Sequence, residues 1–106
     1  MQEAILSARA ERDSVGGVLE TMVTGLPAGV GEPWFDSLES MLAHGIFSIP
    51  AVKGIEFGEG FAMASLRGST ANDALYWKHD GTVGMRTNHN GGINGGISNG
   101  DRKSVV

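Results

Sequence analysis

Residues 87–100 read TNHNGGINGGISNG, with five glycines in fourteen positions. Glycine loses more backbone freedom on folding than any other residue and disfavours a helix by about 1 kcal/mol relative to alanine. The stretch is therefore expected neither to be helical nor to bury a core of its own. It suits a loop that another group approaches closely: a phosphate, a flat cofactor or a second strand. The pairs Gly91-Gly92 and Gly95-Gly96 offer amide N–H groups with no side chain in the way, as backbone anion sites do. Asn88, His89, Asn90 and Asn94 are its polar neighbours. Taken alone, the stretch reads equally well as a tight connection between packed elements.

On either side the pattern is weaker. Residues 69–86 (STANDALYWKHDGTVGMR) lack sustained periodicity, but Asp80-Gly81 is a strong turn signal and Tyr76-Trp77 can pin the loop to a neighbour. Residues 101–106 (DRKSVV) carry charge and two valines without a pattern. They are expected to form a tail outside the fold, so the domain is placed at residues 1–100. Upstream, residues 61–67 (FAMASLR) suit a short helix capped by Gly68, with a strand as the alternative. Residues 52–57 (VKGIEF) read as a short strand with Ile55 and Phe57 on one face. Gly58-Glu59-Gly60 follows, but Met63 stands where a dinucleotide fingerprint would need its third glycine.

The clearest helix opens at Pro33, where a missing N–H costs nothing, and stops at Pro50. Trp34, Phe35, Leu38, Met41, Leu42, Gly45, Ile46 and Ile49 form one stripe at three- and four-residue spacing, the signature of core packing. His44 beside the stripe reads as a hydrogen-bonded packing residue. Residues 25–31 form a Pro- and Gly-set turn, and residues 18–26 (VLETMVTGL) a strand apolar on both faces, expected to be covered on both. Glu20 is its exception, expected to pair with an arginine or a backbone amide. Residues 2–14 (QEAILSARAERDS) form a helix with a thin apolar face, ended by Gly16-Gly17. The order α–β–α–β–(α)–loop implies a layered α+β or α/β arrangement.

Composition narrows the chemistry. Of 106 residues 17 are glycine, roughly twice the usual ~7%, so a small domain of this composition is expected to need partner surface. The net charge of −4, without any basic run, argues against nucleic acid. With no cysteine, disulfides and thiol nucleophiles are excluded. No apolar run approaches the ~18 residues of a spanning helix, so no membrane is expected, and a cytoplasmic protein is the default. His44, His79, His89, Asp13, Glu20, Asp73 and Asp80 are the acid–base candidates, but none stands at a spacing that demands a site. His79 and Asp80 read best as an exposed turn. A P-loop is excluded because no Lys-Ser/Thr follows the glycines, and the scattered histidines do not suggest a metal.

Several stretches together resemble chorismate synthase: RDSVGGVLE (12–20), TGLPAGVGEPWFDSLESMLAH (24–44), SIPAVKGIEFGEGF (48–61), RGSTAND (67–73) and TNHNGGINGGISNG (87–100). They stand in family order and at family spacing. The resemblance implies an α+β fold, part of the family's β-α-β sandwich. It also implies a homotetrameric lyase that converts 5-enolpyruvylshikimate 3-phosphate to chorismate and phosphate with reduced FMN. The family's Gly-x-Ser-His-Gly motif, its second histidine motif and its Lys-Pro-Thr segment are absent from this sequence. An internal or truncated piece is therefore expected, without the family's catalytic histidines, whose roles do not pass to His44, His79 or His89. Carried over by position, the flavin contacts fall at Pro50, Ala51 and Gly95. Arg12 and Asp13 match a family signature and are expected to be structural. The alternative is an inactive remnant acting as a self-associating or flavin-binding module.

Overall fold

The computed structural model describes residues 1–106, an elongated body of 56 × 29 × 28 Å. Its radius of gyration is 17.2 Å, against about 13 Å for a compact domain of this length. After a first helix and strand, a run of helices (residues 34–71) precedes a run of short antiparallel strands (residues 75–105), so the fold is α+β.

Helix α1 (Gln2–Ala10) carries Glu3 in its first turn and Arg9 in its last, both favourable to the helix dipole. It ends earlier than the sequence suggests, and not at the glycine pair. Arg12 takes the left-handed conformation (φ 59°), and Asp13 N–H donates back to the Ala8 carbonyl at 2.8 Å while Arg12 N–H donates to that of Arg9. This is the Schellman closure, with arginine in the place glycine usually takes. A structural role for Arg12 follows.

Strand β1 (Thr21–Val23) is the short remnant of the strand expected over 18–26. It is exposed rather than covered on both faces, with Met22 and Val23 at 56% and 41% accessibility. The helix expected from Pro33 splits in two. Residues Trp34–Asp36 form a single 3-10 turn, Ser37 is extended (ψ 151°), and α2 (Leu38–Phe47) starts after it. The Ser37 hydroxyl accepts the Ser40 N–H at 3.1 Å as an N-cap. At the other end Ser48 Oγ donates to the Gly45 carbonyl and Pro50 follows.

Residues 52–57 form no strand; Phe57 makes an isolated bridge to Val105 instead. Residues Gly60–Ser65 form a 3-10 helix, and Gly68 opens the short helix α3 (Gly68–Ala71) rather than capping the preceding one. Strands β2 (Leu75–Trp77) and β3 (Val83–Met85) make an antiparallel hairpin with Tyr76 opposite Gly84. Asp80 sets its turn by accepting the Thr82 N–H and hydroxyl, at 2.9 and 2.5 Å.

The glycine segment forms a second, tighter hairpin: β4 (Ile93–Asn94) and β5 (Ile97–Ser98), joined by Gly95-Gly96. Beyond it, β6 (Lys103–Val105) pairs antiparallel with β1, Thr21 opposite Val105. The expectation that residues 101–106 stand outside the fold is corrected here. On its other edge β6 meets residues 56–58, through Glu56 and Val106 exchanging backbone hydrogen bonds at 2.7 and 2.8 Å. Val105, one of the two valines that showed no pattern, lies in this enclosed strand and Val106 directly follows it, because the strand's partners come from distant parts of the chain.

Nine residues are buried: Asp73, Gly84, Gly91, Gly92, Ile93, Gly96, Ser98, Lys103 and Val105. The core therefore sits around the glycine hairpin and β6. The stripe on residues 34–49 is not its centre, for Trp34 and Phe35 are 81% and 83% exposed.

Candidate functional site

The glycine hairpin is held by three parts of the chain, and glycine is required where two of them cross. Gly58 (φ +59°) and Gly91 (φ +63°) lie backbone against backbone: a Cβ on Gly58 would stand 2.5 Å from Gly91 N, and one on Gly91 2.5 Å from Gly58 N. The contact is secured by Gly58 N–H donating to the Ser104 carbonyl (3.0 Å) and Glu59 N–H to that of His89 (2.9 Å). A second approach joins the hairpin to the start of α2. Gly96 (φ +84°) has the Glu32 carbonyl and Ser37 where a Cβ would go, and its own carbonyl accepts the Leu38 N–H at 2.8 Å. That bond explains the break at Ser37, which turns the first amide of α2 towards the hairpin. Val30 and Ser98 complete the seam, Ser98 N–H donating to the Val30 carbonyl at 2.8 Å.

The third support is Asp73, 7% exposed. Its Oδ1 accepts the His89 N–H (2.7 Å) and the Thr87 hydroxyl (2.8 Å), and its Oδ2 accepts the Asn90 N–H (2.9 Å). Burial pushes this carboxyl's pKa up. The hydrogen bonds from Asn90, Thr87 and His89 outweigh burial, so the group titrates below its ordinary 3.8. The backbone anion site suspected at the glycine pairs thus exists just before them, at His89 and Asn90, and the anion it holds is the chain's own. Asp73, an acid–base candidate by residue type, has its carboxylate committed to the loop.

Two clefts flank this centre. One of about 450 Å3 is lined by Glu20, Met22, Gly58, Glu59, Thr87, Asn88, His89, Arg102 and Ser104. Within it His89 Nδ1 lies 3.4 Å from Glu59 Oε1, and Ser104 Oγ donates to Glu20 Oε1 at 3.3 Å. Glu20 therefore pairs with a hydroxyl, not with the arginine or amide expected. The other cleft, about 480 Å3, is lined by Asn72, Asp73, Ala74, Leu75, Met85, Asn94 and Asn99. Asn99 Nδ2 donates to Asn94 Oδ1 at 2.8 Å across it.

Of the residues expected to meet a cofactor, Gly95 forms the exposed tip of the hairpin at φ +58°, next to Asn94 of the second cleft. A Cβ there would meet nothing within 4 Å. Pro50 and Ala51 lie exposed beyond the end of α2, and Ala51 is left-handed at φ +70°. They line neither cleft, and neither stands within 4 Å of where a Cβ on Gly95 would point. Both His44 and His79 are exposed, so His44 is not the packing residue expected. Gly58 is the site residue that sequence reasoning passed over. Its signal was a glycine directly after a short apolar run, where a close backbone approach was the remaining explanation once a fingerprint had been excluded.

Lys103 is an anomaly of the same region. Only 1% exposed, it sends Nζ to the Asp101 carbonyl. Burial lowers its pKa from 10.5, with Asp101 opposing.

Comparison with known proteins agrees with these features. The family model described as chorismate synthase matches residues 1–105, reaching into β6. A chorismate synthase from Chitinophaga pinensis is 53% identical over 100 residues, 94% of this chain and 29% of that protein. One from Saccharomyces cerevisiae is 49% identical over 95% of this chain and 27% of its own length. A crystal structure of a chorismate synthase superposes with a TM-score of 0.89 and 32% identity, covering 98% of this chain and 32% of that one. The chain thus spans less than a third of the length of the relatives it matches. With the match running through both glycine crossings and the hairpin they hold, the chain belongs to the chorismate synthase family.

Proposed function

We propose that this chain supplies one wall of the FMN site of a chorismate synthase, the lyase that forms chorismate and phosphate from 5-enolpyruvylshikimate 3-phosphate. The observation that supports this is the bare tip of the hairpin: Gly95 at positive φ, open on its Cα face, beside a cleft edged by Asn94 and Asn99. A flat ring fits such a wall. It can stack over backbone without meeting a Cβ, while carboxamides reach its polar edge and Leu75 and Met85 give apolar contact. None of the seven cleft residues is cationic, so this wall fits the ring end of the cofactor, and its phosphate calls for residues elsewhere. Pro50 and Ala51 lie outside that cleft and are read as a second contact, offering backbone and a methyl group beyond the end of α2.

When bound, reduced FMN supplies electron density to the substrate ring and a base for its proton. This chain's residues bind and orient. Gly95 keeps a flat face clear, the two glycine crossings fix the hairpin against α2 and β6, and Asn94 and Asn99 hold each other in place. No residue here is assigned as a catalytic acid, and the isolated chain is inactive. The whole enzyme is read as a homo-oligomer, in keeping with the family's homotetramer, and as acting in the cytoplasm. No helix is long and apolar enough to cross a membrane.

Anaerobic titration of the chain with reduced FMN tests the reading. Saturable binding that Gly95→Trp abolishes is expected, with no chorismate formed from substrate. Absence of binding at any concentration favours a self-associating remnant, and chorismate formation refutes the inactivity.

A further inference from the structure

We propose that Asp73 is the positioning residue of the glycine hairpin, its carboxylate setting where Gly95 stands by fixing residues 87–90. Its consequence for a ligand rests on the flavin reading above; the positioning itself rests on geometry.

Three donors converge on this one buried group, at 2.7, 2.8 and 2.9 Å, and two of them are backbone amides of consecutive residues, His89 and Asn90. Successive N–H groups that point at the two oxygens of one carboxylate restrict the local backbone conformation, as in other anion-binding concavities. The path onward is short and made of hydrogen bonds. Gly91 N–H donates to the Asn88 carbonyl and Ile93 N–H to that of Asn90, at 3.1 and 3.3 Å, and Ile93 begins β4. Asn99 N–H, just after β5, returns to the Gly92 carbonyl at 3.0 Å. The hairpin is thus clamped at its base to the dipeptide that Asp73 holds and at Gly96 to the start of α2, and Gly95, which meets nothing where a Cβ would point, takes its place from these two anchors. Asp73 also lines the cleft that Asn94 and Asn99 edge, so the group that sets the hairpin stands in the wall the hairpin completes.

The charge environment leaves Asp73 to this task. No lysine or arginine lies at salt-bridge distance, and the one ionisable group acting on it is His89, whose ring faces Glu59. No other titratable residue lines that cleft. An aspartate is needed in particular. Asparagine offers one acceptor and places an NH2 against a donor, and glutamate moves the anion outward by a methylene.

The test follows backbone amide shifts by NMR as pH falls. The folded carboxyl titrates below 3.8, so the network is whole above that value and is released as pH drops through the lower one. The amides of His89, Asn90, Gly95 and Gly96 are expected to move together with one midpoint below 3.8. Asp73→Asn is expected to remove that transition from Gly95 and Gly96, and Asp73→Glu not to restore it. His89→Gln is expected to leave it in place, which assigns it to Asp73. Should Asp73→Asn not fold, Thr87→Val decides: losing one donor must raise the shared midpoint. Gly95 and Gly96 amides that ignore the transition, or a midpoint unmoved by Thr87→Val, overturn the proposal. Titration with reduced FMN is read separately. At least a tenfold weaker Kd is expected for Asp73→Asn, and an unchanged Kd overturns the link to ligand. A wild-type chain that does not bind FMN sinks the flavin reading and leaves the amide shifts to decide the positioning.

Discussion

Residues 91–105 hold seven of the nine buried positions, four of them Gly91, Gly92, Gly96 and the small Ser98. Residues 33–66 hold none, although Trp34, Phe35, Met41, Phe47, Ile49 and Phe61 all lie there, each at least half exposed. Apolar content and burial run in opposite directions in the two regions. In the glycine block, burial comes from backbone meeting backbone, where the absence of a Cβ decides how close two segments come. In the helical arm, side chains have the right spacing to pack but no surface opposite them. A folded monomer of this mass exposes about 5,700 Å2, and this chain exposes 8161 Å2. The arm is one half of a packing arrangement, in keeping with a chain that spans less than a third of its relatives.

That contrast can be broken most severely at Gly58. Gly58→Ala puts a methyl group into Gly91 and forces alanine to φ +59°. Strain and overlap together are expected to cost about 3 kcal/mol or more, a large share of any small domain's stability. Urea denaturation followed by circular dichroism checks it, and a loss under 1 kcal/mol would show that the crossing yields easily.

A smaller effect, of opposite sign, is expected at the other end of the block. Lys103 fills a buried place alongside Val105 without a carboxylate partner. Lys103→Met keeps the length and removes the desolvated ammonium, so it is expected to stabilise by about 1–2 kcal/mol near neutral pH. Since burial lowers the lysine pKa from 10.5, the folded state binds its proton less readily than the unfolded one. The wild type therefore gains stability as pH rises through the lowered value, and the advantage of Lys103→Met shrinks there. A difference in thermal midpoint that does not change between pH 7 and 10 would contradict this cause.

The smallest change is expected in the arm. Trp34→Ser removes a large aromatic that touches Phe35 edge-on, with ring centroids 6.2 Å apart, and is otherwise exposed. Stability is expected to move by less than about 0.5 kcal/mol. A loss of 2 kcal/mol would mean that the arm is covered in solution, which sedimentation of the same sample would reveal as self-association.

Local features were legible in the sequence, and features made by distant partners were not. The turn at Asp80-Gly81 and the stop of α2 at Pro50 depend on a few adjacent residues, and both stand where expected. The glycine stretch was legible as backbone that something approaches closely. What approaches is Gly58 in one crossing and residues 32–38 in the other, segments at least 33 and 58 positions away (91 − 58 and 96 − 38). No spacing rule links such positions. The same holds for Asp73, whose donors lie 14 to 17 residues on, and for β6, where a lysine, a serine and a valine show no pattern until β1 is beside them. The stripe on residues 34–49 was read correctly as apolar and wrongly as core, because periodicity reports which face seeks a partner, not whether one is present.

The pairing of Thr21 with Val105 also bears on the order in which the chain assembles. The hairpins at 75–85 and 93–98 close loops of a few residues and form on the microsecond scale. Joining β1 to β6 requires ends some eighty residues apart in sequence to meet, with a closure entropy that precedes any gain from the contact. Chain growth from the amino end leaves β1 an open edge until residue 105 has emerged. Among the strands of this chain, the one bearing Met22 and Val23 is thus the one that waits longest for its partner.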